Sequence, residues 1–144
     1  MDISKKIADV GREFEKEKNY WLKKLAGFPG KSSFPCFANT GKPDEAVETF
    51  QLEGPLFQRL NTVSGGSDPT LHIILTAAVS VLLSKYSSNR DIVVGTPVYR
   101  QEQEEAFVNT VLPLRCVFTP GMTFKEMLMQ VKETVLEALE HQDY

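Results

Sequence analysis

The sequence predicts a two-layer α/β sandwich, a mixed β-sheet covered by helices. Three observations predict it. Helical and strand patterns follow one another in the order helix, strand, helix, helix, strand, strand, helix. The segment Leu71 to Tyr86 is apolar on most faces, as a helix lodged against a second layer would be. The last segment is an amphipathic helix with a complete capping box, so one face of it must rest on something.

Residues 3 to 26 carry Ile3, Ile7, Val10, Phe14, Trp21 and Leu25 at helical spacing, with Lys and Glu on the other face, and Gly27 supplies a stop. Residues 28 to 43 turn to Gly, Pro, Ser and Asn and read as a long irregular connection. Alternation from Val47 to Leu52 suggests a strand. Gly54-Pro55 then opens a short helix through Leu56, Phe57, Leu60 and Val63, which Gly65-Gly66 ends.

Asp68-Pro69 starts the central helix, with Asp68 expected as the capping side chain. Asp91 to Val94 reads as a short buried strand ending at Gly95, and Phe107 to Phe118 as a longer one. Pro113 inside that strand demands an edge, a bulge or a break, because proline has no N–H to donate. In the last helix Thr123 and Glu126 form the capping box, and Met122 and Met127 occupy the staple positions. Phe124, Met127, Leu128, Val131, Val135 and Leu139 are its expected buried stripe.

The chain of 144 residues is long enough for one core, and residues 1 to 144 are read as a single domain. With 16 basic against 19 acidic side chains, no global field favours nucleic acid or an anionic membrane. The apolar run Leu71 to Leu83 is too short to span a bilayer, and the N-terminus lacks an apolar signal core. Cys36 and Cys116 show neither CxxC spacing nor a secretory context, so no metal site is expected and a cytoplasmic location fits.

Catalytic chemistry has little to stand on. The histidines are His72 and His141, neither in a recognisable catalytic motif, and HExxH, GxSxG, GxxxxGK and GxGxxG do not occur. His72, Thr76, Ser80 and Ser84 form a drifting polar strip on the central helix, readable as the wall of a polar tunnel or as small hydroxyls touching solvent or a neighbouring layer. Asn109, Thr110 and Arg115 must find hydrogen-bond partners if their strand is buried, either fixing a loop or lining a channel. Gly95-Thr96-Pro97 could set a loop beside a ligand, and His141 suits the negative end of a helix dipole. Glu102, Gln103, Glu104 and Glu105 read as a solvated face.

These segments, taken in order, resemble the C-terminal half of a nonribosomal peptide synthetase condensation domain, a family similar to chloramphenicol acetyltransferase in fold. Tyr20-Trp21-x-x-x-Leu25 resembles the helix opening the second lobe, Leu71 to Tyr86 its central helix, and Ile92-Val93-Val94-Gly95-Thr96-Pro97 the strand before its floor loop. Phe107-Val108-Asn109-Thr110 through Arg115 looks like the next motif, and His141-Gln142-Asp143-Tyr144 like the start of one completed by Pro-Phe-Glu. The resemblance implies amide-bond formation between carrier-bound substrates in nonribosomal peptide or hybrid polyketide biosynthesis, in a tunnel between two lobes that phosphopantetheine arms enter.

The family's HHxxxDG motif belongs to the first lobe, and this sequence has no adjacent histidines. No catalytic residue therefore carries over, and the chain alone is expected to be inactive. The resemblance implies that Thr96, Pro97, Asn109 and Arg115 line the interlobe side in positioning roles, while His141 and Asp143 brace the helix end. It implies no cofactor bound directly. It implies as partners an N-terminal condensation lobe if one is encoded, a carrier protein with its phosphopantetheine arm, and an adenylation domain, with self-association through an exposed lobe face. The stretch from Pro97 to Phe107 is shorter than the usual floor loop, and Asn109 to Arg115 one residue longer than the commonest pattern. Both look like the partial condensation domains at the start of some assembly lines. The alternative is a noncatalytic truncated module that docks a carrier protein or packs against an adenylation domain.

Overall fold

In the computed structural model the described residues are 15–28, 30, 32–34, 49, 51–97 and 111–142. The elements are α1 (residues 15–25 of the first helix), α2 (Gly54–Ser64), α3 (Asp68–Ser87), β1 (Asp91–Pro97), β2 (Val111–Val117) and α4 (Phe124–Glu140). The architecture is mixed α/β, with helices α3 and α4 packed on the sheet and on each other, and α2 leaning on α3. The two described strands pair antiparallel. Of the strand expected at Val47 to Leu52, residues 47, 48 and 50 lie outside the described residues, and Gln51 and Leu52 are irregular.

Register explains both the core and the proline. The strands pair one to one from Asp91↔Val117 to Pro97↔Val111, with no bulge. The Phe118 N–H donates to the Arg90 carbonyl at 2.8 Å, while the Val93 N–H turns outward to the Ser32 hydroxyl at 2.8 Å. Because hydrogen-bonded and non-hydrogen-bonded pairs alternate, Val93↔Arg115 and Gly95↔Pro113 are both non-hydrogen-bonded pairs. The missing N–H of Pro113 would therefore have faced away from β1, and the strand runs on unbroken.

Period two then sorts the side chains. Ile92, Thr96, Leu112, Leu114 and Cys116 are buried on the face covered by α3 and α4, whereas Val111 and Val117 are about half exposed on the other. Ile92, Leu112, Leu114 and Val131 are the largest fully buried apolar side chains, each contributing about 1.5–3 kcal/mol. Burial pushes the Cys116 thiol above its ordinary pKa, and its sulfur lies 3.8 Å from the Thr134 hydroxyl.

Helix ends follow local chemistry. Gly65 and Gly66 adopt φ of 62° and 69°, and their N–H groups bond the Thr62 and Asn61 carbonyls, closing α2. The α3 cap differs from the expectation by one residue. Ser67, not Asp68, is the extended N-cap, its hydroxyl accepting from the Thr70 N–H at 3.4 Å, and Asp68 is the first helical residue. An acid in the first turn is favourable there without capping. The α4 capping box is present in both directions, Glu126 N–H to Thr123 Oγ1 at 3.3 Å and Thr123 N–H to Glu126 Oε2 at 2.7 Å. The hydrogen bond from the Thr123 backbone holds the Glu126 carboxyl below its usual pKa.

Two stripes depart from their sequence reading. In α4, Val131, Thr134, Val135 and Ala138 are buried, while Phe124 is about half exposed because it opens the helix. In α3 the buried residues are Ala77, Ser80 and Leu83, and Leu75, Val79, Leu82 and Tyr86 remain exposed among the described residues. At 20 residues α3 is longer than the apolar run Leu71 to Leu83, and is long and apolar enough to cross a membrane by length and composition. It packs against β1 and α4 along one side, and 17% of that apolar window is buried.

Candidate functional site

Thr96 stands near the end of β1 with its side chain on the core face, 3% exposed. Its hydroxyl is 2.7 Å from His72 Nε2, and the Thr76 hydroxyl approaches the same nitrogen at 3.4 Å. One turn on, the Ser80 hydroxyl donates to the Thr76 carbonyl at 2.8 Å. The polar strip of α3 thus reaches the neighbouring layer through the His72 ring, while the Thr76 and Ser80 hydroxyls bond within the helix. A histidine beside a hydroxyl has the chemistry of a base–nucleophile pair, but the Thr96 side chain is sealed beneath α3.

Arg115 points to the opposite face. Its guanidinium grips Asp91 with two parallel hydrogen bonds, Nε to Oδ1 at 2.8 Å and Nη2 to Oδ2 at 2.7 Å. The hydrogen bond to Asp91 raises the guanidinium pKa further. Nη1 donates to the carbonyls of Lys24 and Ala26 at 3.1 and 2.6 Å, and the Phe28 ring lies 5.8 Å away. These carbonyls belong to the end of α1, where a cation also meets the negative helix pole.

Pro97 shares the Arg115 face and Thr96 does not, so these residues do not converge on one point. Asn109 and Asp143 lie outside the described residues, as do Thr110, Tyr144 and the stretch from residue 98 to 107.

His141 ends α4 as its C-cap and joins it to α1. Its Nδ1 is 2.6 Å from Glu17 Oε2, its ring stacks on Tyr20 at 3.7 Å, and its carbonyl accepts from Trp21 Nε1 at 2.8 Å. Glu17 is buried at 5% exposure, with Lys16 Nζ a further 3.9 Å from its other oxygen. The residue type hides this role, since a glutamate in the first helix reads as part of the solvated face. Its position is readable: Phe14, Glu17, Trp21 and Leu25 follow helical spacing on the apolar stripe.

Lys24 and Glu137 extend the joint at 2.6 Å, and that hydrogen bond holds the Glu137 carboxyl below its usual pKa. Burial, followed by the Glu137 charge, pushes the Tyr20 phenol up to about 12. Beside this joint lies an open groove of about 550 Å³, walled by Tyr20, Lys24, Arg115, Gln130 and Glu137. Lys24, Arg115 and Glu137 are committed to partners within the chain, so the groove reads first as an element junction. No group of three or more metal-ligating side chains converges among the described residues.

Comparison with known proteins places this geometry. The chain matches the condensation-domain family over residues 5–144. It is 34% identical over 144 residues to tyrocidine synthase 2 of Brevibacillus parabrevis, covering 91% of this chain and 4% of that protein. It is 35% identical over 144 residues to gramicidin S synthase 2 of Aneurinibacillus migulanus, covering 90% and 3%. The chain thus spans a few per cent of the length of these relatives. Among solved structures, the starter condensation domain of rhizomide synthetase aligns with a TM-score of 0.72 at 23% identity, over 98% of this chain and 33% of that one. The fold is that of the chloramphenicol-acetyltransferase-like condensation domains, and this chain belongs to the condensation-domain family.

Proposed function

We propose that this chain is the C-terminal lobe of a condensation domain, a single lobe over residues 1 to 144, serving amide-bond formation between carrier-bound substrates in nonribosomal peptide or hybrid polyketide biosynthesis. The observation that carries the reading is the family match from residue 5 to residue 144, in a sequence without HHxxxDG. The lobe contributes wall and positioning, and a partner lobe contributes the base. The chain alone is inactive, and the phosphopantetheine arms belong to its carrier-protein partners. An adenylation domain neighbours it, and the assembly works in the cytoplasm.

Within that reading Thr96, Pro97, Asn109 and Arg115 act by position. Arg115 holds the start of β1 against the end of α1 through Asp91 and two carbonyls. Thr96 ties the other end of β1 to α3 through His72. His141 braces the end of α4, with Asp143 beside it in sequence. The exposed stripe Leu75, Val79, Leu82 and Tyr86 on α3 supports a lobe that is covered by a second lobe or a second copy.

The test mixes this chain with a separately expressed N-terminal condensation lobe and assays amide formation between two loaded carrier proteins. Turnover with both lobes and none with either alone is the expected result. Tight lobe binding without turnover would favour the noncatalytic docking module instead. Sedimentation of the isolated chain at several concentrations should reveal self-association, and an unchanging monomer would remove that part of the proposal.

A further inference from the structure

A second cavity, of about 370 Å³, opens where the turn after α3 meets the turn after β2, at the far end of β1 from Thr96. Its lining pairs two kinds of surface. Lys85 and Arg90 reach it from the end of α3 and the approach to β1, with the hydroxyl residues Ser84 and Ser88 close to them in sequence. The half-buried Val81 and Met127 supply an apolar wall, with Phe118, 3% exposed, as the core beneath it. Ser88 holds the left-handed conformation at φ 54°, which ends α3 and turns the chain back toward β1.

The charges are uncommitted. Neither Lys85 nor Arg90 enters an ion pair among the described residues, and no Asp or Glu is among the residues lining the cavity. Arg115 and Lys24, by contrast, are both neutralised by partners within the chain. Two cations gathered at one cavity in a chain of net charge −3 create a local field opposite to the global one. The α3 carboxyl end opposes an anion there, and Lys85 in the last turn offsets it. Binding should accordingly be modest.

We propose that this cavity binds an anionic head group on a short apolar stem, of the class of alkyl phosphates and alkyl carboxylates. The head group takes charge-assisted hydrogen bonds from Lys85 and Arg90 and neutral ones from Ser84 and Ser88. The stem lies on Val81 and Met127. The arrangement is independent of the lobe reading, since it uses none of the residues assigned to interlobe positioning.

The test is a titration of the isotopically labelled chain, followed through the backbone amides of Ser88, Arg90, Thr119 and Gly121. Hexyl phosphate should give saturable shifts with Kd on the order of 1 mM. Hexanoate tests the carboxylate source of the same chemistry and inorganic phosphate the head group alone, with at least about tenfold weaker binding expected for the latter. Lys85→Gln with Arg90→Gln should weaken hexyl phosphate by about tenfold or more while leaving the circular dichroism unchanged. Equal shifts with hexanol or hexyltrimethylammonium would overturn the anion assignment without any variant. The absence of saturable shifts with both hexyl phosphate and hexanoate would overturn the site.

Discussion

Leu114→Ala and Val117→Ala change the same strand on opposite faces, and the register predicts very different costs. Leu114 is fully buried on the strand that pairs with β1 and packs on α4, while Val117 is 47% exposed. Truncating Leu114 removes about three methylene equivalents at ~0.8 kcal/mol each, roughly 2.5 kcal/mol of transfer free energy. A cavity inside the buried cluster that also holds Ile92, Cys116 and Val131 collapses poorly, which raises the expected cost to about 3–4 kcal/mol. That is a large share of the ~5–15 kcal/mol of a typical domain and should lower Tm by about 10 °C. Val117→Ala loses two methyl groups that are already half in water and should cost less than about 1 kcal/mol. Urea unfolding followed by Trp21, the sole tryptophan and buried in the core, measures both. A one-residue slip of β2 would exchange the two faces. Equal costs, or a larger cost for Val117→Ala, would refute the register and with it the account of Pro113.

Three further outcomes follow from the joint between α1 and α4. His141→Ala removes the partner of the buried Glu17 and should cost about 1–3 kcal/mol, with His141→Gln recovering part of it; urea midpoints and the Trp21 emission maximum decide. The Tyr20 phenol, raised to about 12, favours folding while protonated, so its contribution is complete below pH ~10 and lost as pH climbs through about 12. Solvent screening at this partly exposed site keeps the effect to about 1 kcal/mol, and Tyr20→Phe should flatten stability between those pH values. Absorbance at alkaline pH should find a late-titrating phenol that Tyr20→Phe removes. Glu137, lowered by its hydrogen bond from Lys24, adds stability above the ordinary carboxylate pKa that is lost as pH falls through its own value. Glu137→Gln should remove that acid sensitivity, worth less than about 1 kcal/mol at this exposed pair, in urea midpoints from about pH 6 to about pH 3.

Much of the fold was legible because its signals are local. The Thr123–Glu126 capping box and the Gly65-Gly66 stop act over three or four residues, so residue type and spacing suffice. The α3 cap falls one residue from its expected place because Ser67 and Asp68 are both good capping types and backbone conformation chooses between them. Phe124 kept the helical period of its neighbours but lies too near the helix start to reach the sheet. Among the described candidate residues the need for polar partners was legible and the direction of the side chain was not. Arg115 was recognisable as needing partners, yet those partners lie 24 to 91 residues away, beyond any periodic pattern.

What the sequence by itself determined is the order of the described helices and of the paired strands, most of their ends and the family, because periodicity and caps are properties of neighbours along the chain. Tertiary structure alone decided which polar groups are consumed inside the fold. Glu17 is buried because His141 meets it from the far end of the chain, and Thr96 is sealed because His72 reaches it from α3. Burying a polar group is costly until a partner arrives, and that partner is supplied by packing.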